Sequence, residues 1–186
     1  MFPLVADLRG RRVVVIGAGR VGAQKVAQLR AGGARVSVIT NAVTSELGEV
    51  ESLTLRPYQP GDLAGAFLVV SATGDPEVND RIVEEANDAR VLLNVVDDPG
   101  RSNFFFTAVH RDGDVVVSVS TEGASPALAQ WVRNRIAAAL PTNLAGVATR
   151  LRAERHAVHA SGASTEGIVW TTRVQELIDD EPASAR

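Results

Sequence analysis

The stretch RVVVIGAGRVGAQKVAQLRAGG, residues 12–33, decides the fold. Arg12 to Ile16 is a compact β-branched run, which predicts a buried strand. It leads without a break into Gly17, Gly19 and Gly22, spaced as GxGxxG, and then into a segment that reads as a helix closed by Gly32 and Gly33. Strand, glycine turn and helix in this order form the fingerprint of a dinucleotide-binding unit. Gly17 permits the tight turn, Gly19 lets backbone approach a pyrophosphate, and Gly22 lets the helix pack closely on the sheet. The phosphates then rest on free amides at the helix N-terminus.

Working outward, 35–40 (RVSVIT) reads as a second strand, Leu53 to Leu55 as a short third, and Ala66 to Ser71 as a fourth. Gly61 to Gly65 reads as a turn or short helix. Asp75 and Pro76 open a helix whose apolar face is Val78, Ile82, Val83 and Ala86, with Asp75 capping and Pro76 at the first position. Residues 91–96 (VLLNVV) read as a further buried strand. Near-continuous apolar strands alternating with amphipathic helices predict an α/β fold with a Rossmann-like parallel sheet covered on both faces.

The pattern changes after residue 97. Residues 104–121 carry two β-rich runs around Asp112 and Gly113, which predicts an antiparallel hairpin beginning at Asn103 and Phe104-Phe105-Phe106. A helix over 125–140 is capped by Ser125, with Pro126 at its start and Leu128, Trp131, Val132, Ile136 and Leu140 as its stripe. Further helices are expected from about Thr142 to His159 and around Trp170, Val174, Leu177 and Ile178. The tail 179–186 is polar and reads as disordered. The expected organisation is therefore a Rossmann domain over 1–100, a hairpin and dimerisation region over 101–124, and a helical region over 125–186.

Composition narrows the chemistry. The 186 residues include no cysteine, which excludes disulfides, zinc–thiolate sites, iron–sulfur clusters and cysteine nucleophiles. Three histidines argue against a polyhistidine metal site; His156 and His159 read as surface residues, and His110 as exposed or as a minor contact. Lys25 is the one lysine among many arginines, a bias that suits carboxylate and phosphate capture or simply reflects genome composition. Net charge −3 gives no electrostatic case for nucleic acid. No apolar run suits a membrane span and no signal peptide is evident, so a cytoplasmic location is expected.

The second strand ends in Thr40 and Asn41, where a carboxylate often holds ribose hydroxyls in NAD sites. No arginine stands beside them for a 2′-phosphate. Asp97 comes just after the apolar run 91–96 at the edge where ligands bind in open α/β sheets, and could accept a proton there. On residues alone, 97–100 (DDPG) reads equally as a plain turn, with Asp98 the better fit to turn chemistry. Arg133 and Arg135 read as a solvated helix face. No cysteine or lysine competes with Asp97 for the role of base.

Four segments together resemble the precorrin-2 dehydrogenase / sirohydrochlorin ferrochelatase family, also found as the N-terminal part of siroheme synthase. They are FPLVADLRGRRVVVIGAGRVGAQKV (2–26), SATGDPEVN (71–79), NVVDDP (94–99) and VSTEGASPALAQWVRNRI (119–136). The resemblance implies NAD-dependent oxidation of precorrin-2 to sirohydrochlorin, in some members also insertion of ferrous iron, and a homodimer built through the hairpin. It implies Asp97 as the catalytic aspartate. It implies Gly17, Gly19, Arg20, Val21, Gly22, Thr40, Asn41 and Thr73 around NAD, and Asn103, Ser120, Thr121, Gly123 and Ser125 around the tetrapyrrole. Two positions depart from the family pattern: Gly74 stands where an acidic residue is more usual, and Glu122 where glycine is. Without the resemblance, an NAD(H)-binding regulatory module and an inactive homologue stay open, because both would use the same glycines.

Overall fold

The computed structural model describes residues 1–180. Two compact units divide the chain, the first Met1–Phe106 and the second from Thr107 onward.

In the first unit, β1 (Arg12–Ala18), β2 (Arg35–Val43), β3 (Ser52–Leu55), β4 (Leu68–Ser71) and β5 (Leu92–Val95) form one parallel sheet in the order β3-β2-β1-β4-β5. The apolar run of β1 alternates between two cores, as a pleated strand must. Val13 and Val15 point to the face covered by α1 (Arg20–Ala31), where they meet Val26 and Leu29. Val14 and Ile16 point to the opposite face, covered by α2 (Pro76–Asp88), where they meet Ile82 and Ala86. Burial on both faces is why these strands read as continuous apolar runs. The α2 start matches the sequence reading: Asp75 accepts hydrogen bonds from the backbone N–H groups of Glu77 and Val78, and Pro76 takes the first position.

β2 runs on past its expected end at Thr40 to Val43, because pairing with β1 resumes after an irregularity, Ala18 opposite Val43. The larger difference concerns Phe104 and Phe106. Instead of starting the hairpin, they pack against the α1-side core of the first unit, their rings 5.5 Å apart. Asn94 anchors this segment by donating to the Phe104 carbonyl. An aromatic run has the same local appearance in a strand as in a core-covering loop, so only this long-range bond separates the two.

In the second unit, β6 (Ala108–Asp112) and β7 (Val115–Val119) form the hairpin, with Gly113 in the left-handed region at its turn. Helix α3 (Pro126–Ala139), capped by Ser125, packs on both strands. The expected apolar stripe of α3 is split. Val132 and Ile136 are half-buried, but Leu128 and Trp131 are exposed, at 50% and 61%. Helices α4 (Leu144–Ala160) and α5 (Trp170–Asp179) complete the unit. The hairpin tip is tied to α4 by Asp112, which accepts from the Ala145 N–H, and by the Asp114–Arg152 ion pair. Arg173 holds α5 to α4 through both oxygens of Glu154. The expected polar tail includes 181–186, outside the described residues. No helix among the described residues is long and apolar enough to cross a membrane.

Candidate active site

The strand order reverses between β1 and β4, and a crevice for ligands opens at such a point beyond the strands' C-terminal ends. Each fingerprint glycine has a distinct physical reason there. Gly17 has φ +97°, and a Cβ on it would stand 2.6 Å from the Ala72 carbonyl oxygen at the end of β4. A Cβ on Gly22 would collide with the Gly17 carbonyl oxygen, so glycine there lets α1 begin tight against the turn. A Cβ on Gly19 would meet only Thr44 Oγ1, at 3.9 Å. That open approach, together with an α1 start that no side chain caps, leaves room and unpaired amides for a diphosphate. The residues fit a dinucleotide.

Around this cradle, Arg20 is exposed at the first position of α1 and Val21 is half-buried beside it. Thr40 is buried, and its hydroxyl donates to the Ala42 carbonyl at 2.7 Å, which turns it into its own strand; Asn41 is exposed. Thr73 accepts the Asp75 N–H. Ser71 and Asn79, which the sequence reading did not single out, fix this edge: the buried Ser71 hydroxyl donates to Asn79 Oδ1 at 2.6 Å, and Asn79 Nδ2 reaches the Thr73 carbonyl. Both lie within the segment 71–79 that carries the family resemblance. No Cβ contact would oppose a side chain at Gly74.

Beyond β5, the two adjacent aspartates part company. Asp98 caps a short 3-10 turn, Pro99–Arg101: its Oδ1 accepts the Arg101 N–H and its Oδ2 pairs with the Arg101 guanidinium at 3.0 Å. Arg101 also pairs with Asp80 of α2 at 2.5 Å, and its pKa is raised, chiefly by the hydrogen bond to Asp98. Ser102 completes the turn by accepting the Val95 N–H and donating to the Asp98 carbonyl. Asp97, by contrast, sits in the left-handed region at φ +61° and is exposed. Its carboxylate takes no hydrogen bond or ion pair among the described residues. Holding a non-glycine residue in that region costs free energy that the locked turn around it supplies. Asn103, expected near substrate, has both amide atoms on backbone: Oδ1 accepts the Leu93 N–H at 2.7 Å and Nδ2 reaches the Val91 carbonyl.

The sequence reading set lysine aside as a competitor of Asp97. In the fold Lys25 is half-buried, its ammonium 3.7 Å from the centroid of the Phe106 ring. Burial lowers the Lys25 pKa from its ordinary value, and the Asp97 charge acts to raise it.

In the second unit, Ser120 Oγ accepts the Glu122 N–H, and Thr121 exchanges hydrogen bonds with Ser125 backbone. Ser125 Oγ caps α3 by accepting the Leu128 N–H. Glu122 and Gly123 both have positive φ, +52° and +84°, which is why glycine suits the position that Glu122 occupies. His110 is half-buried within β6, whereas His156 and His159 are exposed on α4. Arg133 is not fully solvated: its Nε is buried and has no hydrogen-bond partner among the described residues. Arg135 lies 5.7 Å from the Trp131 ring centroid. No group of three or more His, Asp or Glu residues among the described residues is arranged to hold a metal.

Fold and cradle define a Rossmann-type dinucleotide-binding protein. Residues 4–108 match a family described as "Putative NAD(P)-binding", and residues 112–139 match "Sirohaem biosynthesis protein central". Siroheme synthase 1 of Pectobacterium atrosepticum is 37% identical over 153 residues, and siroheme synthase 2 of Aeromonas salmonicida 36% over 149. These alignments cover 79% and 78% of this chain but 32% and 31% of the relatives, so the chain spans about a third of their length. The solved structure of SirC, a precorrin-2 dehydrogenase, superposes with a TM-score of 0.74 at 25% identity, covering 97% of this chain and 88% of that one. The chain belongs to this NAD(P)-binding family, in the group that holds the siroheme synthases and precorrin-2 dehydrogenase.

Proposed function

We propose that the chain oxidises precorrin-2 to sirohydrochlorin with NAD, and that Asp97 is the proton acceptor. One observation carries this reading: an unengaged carboxylate at the end of β5, on the same sheet edge as a glycine cradle open to a diphosphate. Gly17, Gly19 and Gly22, with the first amides of α1, hold the dinucleotide. A dinucleotide held there would supply the hydride acceptor. The substrate loses a hydrogen with its bonding pair and a proton besides, and an Asp97 carboxylate oxygen takes the proton. Asp98, Arg101 and Ser102 keep the turn in place so that Asp97 is presented. NAD is favoured over NADP because neither Thr40 nor Asn41, at the ribose end of β2, is basic.

Ser120, Thr121, Gly123 and Ser125 are assigned to a substrate carboxylate at the start of α3, where helix amides favour an anion. A homodimer is supported by the exposed apolar side chains of the second unit, Leu128 and Trp131 on α3 and Val109 and Val116 on the hairpin. Light scattering tests it, with a monomer mass at micromolar concentration as the contrary result. The function itself is tested by incubating the purified protein with precorrin-2 and either NAD or NADP. Sirohydrochlorin absorbance should appear with NAD. No product with either dinucleotide would overturn the reading.

A further inference from the structure

The pairing of β1 with β2 is uneven beside the glycine turn. Ile16 stands opposite Ile39 and Ala18 opposite Val43, so Gly17 alone faces the stretch Thr40, Asn41 and Ala42. An irregularity of this kind re-aims the side chains around it. Thr40 is buried, and its hydroxyl is spent on the Ala42 carbonyl inside the irregular stretch. Asn41 is exposed. Pairing then resumes, and the Thr44 N–H donates to the Ala18 carbonyl at 3.3 Å. That bond ties Thr44 to the turn itself. Beyond the chain neighbours of Gly19, Thr44 Oγ1 is the one atom among the described residues within 4 Å of the point where Gly19 would carry a Cβ, at 3.9 Å. Thr44 is exposed, and its hydroxyl makes no hydrogen bond among the described residues.

We propose that Thr44 is a dinucleotide-binding residue whose hydroxyl donates to a diphosphate oxygen. Gly19 is the position at which backbone approaches the diphosphate, so a hydroxyl next to Gly19 is next to that group. The diphosphate is an anion rich in acceptors, and a free O–H is a donor without a partner. The first amides of α1 reach the group from the helix start. Thr44 adds a donor from the segment after β2, so two elements grip one ligand. Thr40 cannot serve in its place, because its hydroxyl already donates to Ala42. The uneven pairing moves the polar contact from the expected end of β2 to a residue four positions later.

This inference rests on the dinucleotide part of the proposed function and not on turnover, so binding tests it. NAD and ADP, which share the diphosphate, and adenosine, which lacks it, are titrated calorimetrically against the full chain. Thr44→Val keeps the branched shape and the backbone N–H and removes only the hydroxyl. It should weaken NAD and ADP alike by about 10-fold or more, the worth of a hydrogen bond to a charged group. Adenosine affinity and the Tm of the ligand-free protein should not change. Thr44→Ser should recover most of the loss. Unchanged ADP affinity in Thr44→Val would overturn the proposal. So would an equal loss for adenosine, which would move the contact to the nucleoside. A wild-type protein that binds NAD without turnover would sink the functional reading alone, and the affinities would still decide the role of Thr44. A wild-type protein that binds neither NAD nor ADP would overturn both.

Discussion

The Ala72 carbonyl oxygen stands 2.6 Å from the point where Gly17 would carry a Cβ, so β1 and β4 leave no room for a side chain at their common edge. Gly17 also needs φ +97°, which any other residue adopts only under strain. Gly17→Ala should therefore destabilise the fold by about 1–3 kcal/mol. In a chain of this size that lowers Tm by roughly 2–4 °C per kcal/mol. Gly19→Val meets no comparable obstacle, since only Thr44 Oγ1 is near and Gly19 has φ −75°. It should keep its Tm and lose dinucleotide affinity. Thermal denaturation and NAD titration of both variants separate the two roles; unchanged affinity in Gly19→Val would remove Gly19 from the cradle.

What the sequence made legible was local. The glycine turn, the Asp75–Pro76 start of α2 and the Ser125–Pro126 start of α3 each depend on residues within one helical turn, and each appears as expected. What stayed hidden joins distant residues. Phe104 and Phe106 read as packing aromatics, as they prove to be, but only Asn94 and the α1-side core show that they belong to the first unit and not to the hairpin. Nothing local singles out Ser102, whose hydroxyl bridges the Val95 N–H and the Asp98 carbonyl. Thr40 ends an apolar run, yet β2 continues because β1 is there to pair with it. The exposure of Trp131 reverses the helical stripe that periodicity suggests, since periodicity reports an apolar face and not what covers it.

Glu122 occupies the left-handed region immediately before Gly123. Glu122→Gly relieves roughly 1–2 kcal/mol of backbone strain but adds about 0.5–1 kcal/mol of unfolded-state freedom. Tm should therefore change little. Removing a negative charge from the loop assigned to substrate carboxylates should lower KM for precorrin-2. A KM that stays the same or rises would detach this loop from substrate binding.

Asp62 is held by both guanidinium nitrogens of Arg56, at 2.7 and 2.8 Å, and accepts the Gln59 N–H; its side chain is 11% exposed. The Arg56 hydrogen bonds lower its pKa below the ordinary 3.8. A carboxyl with a lowered folded-state value stabilises the fold above the unfolded value and loses that contribution as pH falls through the folded one. Asp62→Asn should cost about 1–3 kcal/mol at pH 7 and flatten the loss of stability below pH 3.8. Urea unfolding at pH 7 and at successively lower pH measures both. An unaltered acid limb would mean that other carboxylates control it.

Asp97 and Asp98 are adjacent and chemically identical, so only their surroundings separate them. Asp98 is bound to the Arg101 backbone and guanidinium, and its removal frees the turn. Asp98→Ala should lower stability by about 1 kcal/mol, the usual worth of a lost cap. Turnover should be retained in part. The Asp97 carboxylate makes no hydrogen bond or ion pair among the described residues, so Asp97→Ala should unfold at the same temperature or slightly lower, because alanine tolerates the left-handed region less readily than aspartate. It should bind the dinucleotide normally. Sirohydrochlorin formation should drop by about 10²–10⁴-fold, the range for a positioned proton acceptor. If the protein also inserts ferrous iron, that activity should fall with it, because entry of iron requires the pyrrole protons to leave. Dead Asp98→Ala beside active Asp97→Ala would place the acceptor at the wrong aspartate. Full activity in both would reduce residues 97–100 to a turn that merely leads the chain out of β5.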